Sequence, residues 1–132
     1  KNPYRSVSTI FTHDMPTLRQ WWDEDRDLTQ EYYNAVLWKQ GPAPHPLPGD
    51  VAEQVVVNHL NSPSMLCMLS LQDWLSIDET IRLADPDAER INIPANPRHY
   101  WRYRMHMTIS QLMACKEFNE KMTKLITNSG RK

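Results

Sequence analysis

Two short runs with strand character, separated by a long helical stretch, constrain this chain more than any other feature. The first, Ser6 to Thr12, carries Val7, Thr9, Ile10 and Thr12, β-branched side chains that suit a pleated strand. The second, Met65-Leu66-Cys67-Met68-Leu69, is continuously apolar between turn signals, as expected of a strand buried on both faces. Strand, helices, strand is the order of a βαβ unit, which pairs its strands in parallel.

The intervening sequence supplies the helices. One is expected from about Pro16, with Leu18, Trp21 and Trp22 on one face at i, i+3 and i+4. The charged patch Asp23 to Asp27 reads either as an exposed helical turn or as a break, and helical spacing resumes from Thr29 to Gln40. Gly41 to Gly49 holds four prolines in nine residues and is a stiff loop. Asp50, with Glu53 three residues on, has the pattern of a capping box that opens the next helix, which stops at Asn61-Ser62-Pro63. A helical turn or two is expected after Asp78, and loops at Asp85-Pro86-Asp87 and from Asn92 to Pro97. An amphipathic tail from about Thr108 to Ser129 ends at Gly130, a natural stop signal. The whole is a helix-rich chain with about two short strands and four to five helices.

Composition narrows the function classes. A formal charge of −1 gives no global field to draw in nucleic acid or an anionic membrane. No run reaches the roughly 18 apolar residues that a membrane-spanning helix needs. Cys67 and Cys115 are isolated from each other and read as reduced core thiols, not a disulfide or a metal site. His99 and His106 stand too far from other ligand types to suggest a metal, and no cofactor motif is present. Cytoplasm is the expected compartment.

His13-Asp14 is the pair with most chemical content. It follows the first strand and precedes a helix, the corner at which α/β barrels carry catalytic side chains. From the residues alone, Asp14 reads first as a helix cap, because caps are far commoner than catalytic sites. Other candidates have similar double readings. Asn92, just before Ile93-Pro94, is a turn former or a ligand contact. Asp73 caps a short helix or faces the site. Trp21, Trp22, Trp74 and Trp101 are core residues or flat faces for a sugar ring. Tyr100-Trp101-Arg102-Tyr103-Arg104 interleaves aromatic and basic residues, but no basic groove accompanies it. An arginine there paired with a carboxylate would tie down the C-terminal segment.

Three stretches occur in an order that resembles the 4-α-glucanotransferases, the amylomaltase or disproportionating-enzyme family. They are Thr12-His13-Asp14-Met15-Pro16-Thr17-Leu18 through Trp22, Leu69-Ser70-Leu71-Gln72-Asp73-Trp74-Leu75, and Arg90-Ile91-Asn92-Ile93-Pro94 with His99-Tyr100-Trp101-Arg102-Tyr103-Arg104. The last is most similar to the plant-cytosolic-like and related bacterial branch. The resemblance implies a (β/α)8 TIM-barrel parent acting on maltose and α-1,4-glucans by a retaining mechanism. It makes Asp14 the transition-state stabiliser and His13 a sugar-binding neighbour, and places Asn92 on a loop near the cleft. The nucleophile and acid/base are implied to lie on earlier strands. Gln20, Ser70 and Ala95 depart from residues common in the family, where Gly, Pro and Gly are usual.

At 132 residues the chain is far shorter than the roughly 250 of such a barrel. It opens at Lys1-Asn2-Pro3 without an initiator Met, so residues 1–132 are expected to be a C-terminal fragment holding the last two βα units and the C-terminal helices. Alone, it is expected to be inactive, and either to repack as a mainly helical unit or to self-associate through surfaces meant for missing strands. The competing expectation is a small helix-rich protein-interaction module with no catalytic role.

Overall fold

The computed structural model describes residues 2–131. Strand β1 (Val7–Thr9) pairs in parallel with β2 (Leu66–Met68), Ser8 lying opposite Cys67. Helices α1 (Leu18–Glu24), α2 (Arg26–Ala35) and α3 (Gly49–Leu60) form the crossover. α4 (Leu71–Leu75), a 3₁₀ turn (Pro86–Glu89), α5 (Ile109–Ala114) and α6 (Lys116–Asn128) follow. The described residues thus hold six α-helices instead of four to five. At Asp23 to Asp27 the structure has the break: Asp25 leaves helical geometry and caps α2 by accepting from the N–H groups of Asp27 and Leu28, while the expected tail helix is split at Cys115. Between Asp78 and Arg82 there are only hydrogen-bonded turns.

The core is a helix–helix contact lying over one face of the strand pair. Trp22, Leu37, Leu47, Val51, Ala52, Val55, Val56, Leu75 and Phe118 are all buried. α3 supplies most of it because Val51, Val55 and Val56 share one stripe, and it lies against β1, α4 and α6. The strands behave differently from expectation. Ser8 and Cys67 face the helices, while Val7, Leu66 and Met68 are about half exposed on the opposite face. β2 is therefore covered on one face only, since no element among the described residues lies across the other.

Two local expectations fail for identifiable reasons. α1 is capped by Thr17, not Asp14: Gln20 N–H donates to Thr17 Oγ1, and Thr17 N–H donates to Gln20 Oε1. α3 opens at Gly49, with no cap from Asp50. Gly49 sits so close to the backbone of Ile77 that a Cβ there would lie 2.7 Å from its carbonyl oxygen. Its N–H donates to the Glu79 carboxylate at 3.0 Å, so a distant residue satisfies the helix end. Glu53 instead pairs with Lys121 of α6.

The proline loop is held from below by carboxamides. Gln30 donates to the Gly41 carbonyl and accepts from Ala43 N–H, Asn34 donates to the Lys39 carbonyl, and Gln54 to the Leu37 carbonyl. The buried Trp22 indole N–H donates to the Pro44 carbonyl at 2.7 Å. At the far end Gly130, with φ of 77°, terminates α6 as expected. The arginine that ties down this terminus is Arg131, which donates to the carbonyls of Leu60, Ser62, Ser64 and Met65. Arg102 is exposed and lies over the Tyr100 ring instead.

Candidate active-site corner

His13 and Asp14 sit in a turn just beyond the C-terminal end of β1, closed by Met15 N–H donating to the Thr12 carbonyl. Both side chains are about half exposed, with His13 Nε2 3.3 Å from Asp14 Oδ2. The other carboxylate oxygen, Oδ1, accepts from Asn92 Nδ2 at 2.7 Å, across 78 residues of chain. The structure thus brings together all three residues singled out in the sequence. It adds Trp101, an exposed indole whose ring lies 4.9 Å from that of His13. Trp21, Trp22 and Trp74 belong to the core or pack against it. A small apolar cavity of about 230 Å³ behind the corner, lined by Phe11, Met15, Leu18 and Trp21 among others, offers few partners to a polyhydroxylated ligand.

What holds Asn92 on Asp14 lies deeper. One hydrogen bond between half-exposed groups contributes about 0.5–1.5 kcal/mol. Closing a flexible loop of that span costs roughly 4 kcal/mol, so the bond cannot hold it alone. Beneath it, the Arg19 guanidinium bonds Glu89 Oε1 at 2.8 Å and the carbonyls of Leu83 and Ala84, in a buried pair. Gln20 reaches Asp87 on the same side, which gives a use to a residue that departs from the family pattern. Gln72 donates to the Glu89 carbonyl, Arg90 Nε to that of Asn92, and the His99 ring bonds that of Ile91.

Two carboxylate oxygens in this layer, Asp73 Oδ1 and Glu89 Oε2, are buried without a partner. Burial pushes the Asp73 carboxyl up to about 6, against the pull of two hydrogen bonds from Ser70 and with help from Glu89. Burial also pushes Glu89 up, against the pull of Arg19. Asp73 is not the cap of α4. Ser70 is, and Asp73 completes its capping box by accepting from Ser70 N–H. Asp73 therefore lies under the corner, buried, and does not face it. Among the described residues no group of His, Cys, Asp and Glu side chains is placed to hold a metal ion.

A half-exposed polar cluster at the C-terminal end of a parallel strand pair is where α/β proteins bind ligands and, in barrels, carry out catalysis. The chain belongs to the 4-alpha-glucanotransferase family, whose model matches residues 1–109. It is 35% identical over 128 residues to the 4-alpha-glucanotransferase DPE2 of Oryza sativa subsp. japonica, a match covering 97% of this chain and 14% of the rice protein. It is 24% identical to the 4-alpha-glucanotransferase of Chlamydia pneumoniae over 123 residues, 92% of this chain and 23% of that protein. The figure for Chlamydia muridarum is 26% over 121 residues, 91% of this chain and 22% of its relative. The chain thus spans less than a quarter of the length of each.

Proposed function

We propose that this chain is the C-terminal part of a 4-α-glucanotransferase catalytic domain, contributing the last two βα units and C-terminal helices of a (β/α)8 barrel. The observation that carries this reading is the Asn92–Asp14 hydrogen bond, which joins two motifs of the family at one strand end. The open apolar face of Val7, Leu66 and Met68 supports it as well, because a barrel interior is filled by such strand side chains.

In this reading the enzyme transfers glucosyl units between maltose or maltooligosaccharides and glucan acceptors with retention. One carboxylate attacks the anomeric carbon while a carboxylic acid protonates the departing glucan oxygen. An acceptor hydroxyl then displaces the enzyme as that same group takes up its proton. Both groups come from earlier strands. Asp14 accepts hydrogen bonds from hydroxyls of the reacting sugar, and these strengthen as positive charge develops on the ring. His13 orients that sugar, with the Trp101 indole as a flat apolar face beside it. Asn92 spends one side-chain N–H on Asp14 and keeps its side-chain amide oxygen for the substrate. No metal or organic cofactor enters this chemistry, and neither nucleic acid nor membrane is a partner. The free thiols of Cys67 and Cys115 suit a reducing compartment such as the cytoplasm. No helix among the described residues is long and apolar enough to cross a membrane.

The test is maltose disproportionation by the full-length polypeptide beside its Asp14→Asn variant. Glucose release with glucan extension, reduced by about 10²-fold to 10³-fold or more in the variant, is expected. Absence of transfer in the wild type, or full activity in the variant, overturns the reading. The 132-residue chain by itself is expected to release no glucose.

A further inference from the structure

We infer that the buried Arg19–Glu89 pair is a positioning device for the reaction, setting the Asn92 amide against the Asp14 carboxylate. This deepens the glucanotransferase reading and rests on it.

The argument is one of connected segments. Residues 14–20 and 83–92 face each other and are joined at three places. Gln20 donates to Asp87 at the exposed outer edge. Arg19 bonds Glu89, Leu83 and Ala84 in the buried middle. Asn92 donates to Asp14 at the corner. Arg19 is the second residue of α1, whose N-terminus follows the His13-Asp14 turn through the Thr17 cap. Glu89 closes the 3₁₀ turn that leads into the Asn92 loop, and Arg90 Nε then fixes the Asn92 carbonyl. Of the three joins, only the middle one is buried, and Arg19 fills three of its donor directions there. A planar fork held in this way determines both the spacing and the angle of the two segments.

Asn92, in turn, holds one oxygen of a carboxylate that is otherwise half exposed and next to the His13 ring. A carboxylate that must meet sugar hydroxyls gains from such a fixed orientation, since a displacement near 1 Å can cost about a hundredfold in rate. Arg19 and Glu89 make no contact with the corner itself. They act through Asn92.

The experiment is a double-mutant cycle in the full-length polypeptide, using Glu89→Gln, Asn92→Ala and both together, with kcat and KM for maltose transfer measured per folded molecule. Each single change is expected to lower kcat about tenfold to a hundredfold, Glu89→Gln with little change in KM, and the double to lower kcat no further than the more impaired single. Should Glu89→Gln not fold, Arg19→Lys replaces it in the same cycle, because it keeps the charge and loses the fork. Hydrogen exchange of the amides from 91 to 98 is the readout that needs no activity. It is expected to quicken in the Glu89 or Arg19 variant while α3 stays protected. Additive losses in kcat, or a lower Tm with unchanged kcat and unchanged exchange, overturn the proposal. If the wild type shows no transfer, the functional reading fails and the exchange measurement alone decides whether the pair positions the loop.

Discussion

The helical layer and the strand pair answer the same physical demand in opposite ways. In α1 and α3 the apolar stripes find partners within this chain: Trp22, Ala52 and Val56 lose all contact with water. In the strands Val7, Leu66 and Met68 keep about half of theirs, on the face turned away from the helices. A helix satisfies its own backbone and needs only one covered face. A strand has two edges and two faces to satisfy, and a pair of strands leaves much of that undone. The layer that completes itself is the one that positions the corner. The layer that does not is left with an open apolar face.

Removing the largest buried ring should break the comparison most visibly. Trp22→Ala is expected to cost about 3–5 kcal/mol, read as a lower urea midpoint, from the cavity and the lost bond to Pro44. A cost near zero would mean that the helical layer is not the stabilising one.

Asp73 tests the junction, where β2 passes into α4. Its folded value of about 6 lies above the ordinary 3.8, so the folded state binds the proton more tightly than the unfolded chain. Its contribution is fully present below about pH 4 and is lost as pH rises through 6, a loss of roughly 3 kcal/mol. Asp73→Asn should flatten that part of the stability–pH profile in urea titrations between pH 4 and 7. A profile with the same slope in both proteins would remove Asp73 as its source.

The smallest effect on stability should come from the open strand face. Met68→Ser is expected to change stability by no more than about 0.5 kcal/mol while weakening self-association of the 132-residue chain in light scattering. A destabilisation as large as that of Trp22→Ala would show that this face is packed after all.

Much of this was legible from the residues. β-branching and apolar runs located both strands, the stripe Val51, Val55, Val56 located α3, and Gly130 located the end of α6. Motif resemblance singled out His13, Asp14 and Asn92 separately, but nothing in the residues foretold that Asn92 would bond Asp14. Two of the failures share one cause, which is a partner distant in sequence. Asp50 and Glu53 make a plausible local cap, but Glu79 holds that helix end and Lys121 takes Glu53. A tie from Arg102 or Arg104 to a carboxylate was expected, whereas Arg131 grips four carbonyls and Arg19 pairs with Glu89. The capping boxes Thr17 with Gln20 and Ser70 with Asp73 were readable, since both have the required spacing. Trp38, with φ of 58° and an exposed indole, carries no signal in its neighbours that foretells a left-handed backbone.

The 78-residue separation of Asp14 and Asn92 also sets an order of assembly. Helices such as α2 and α3 close through contacts a few residues apart and can form early in folding. The corner belongs to the slow, long-range class. During synthesis, at about 5–20 residues per second, Asp14 is exposed for several seconds before its amide partner exists. A ribosome stalled just short of residue 92 would leave a chain with its crossover helices already synthesised and its carboxylate still unoriented.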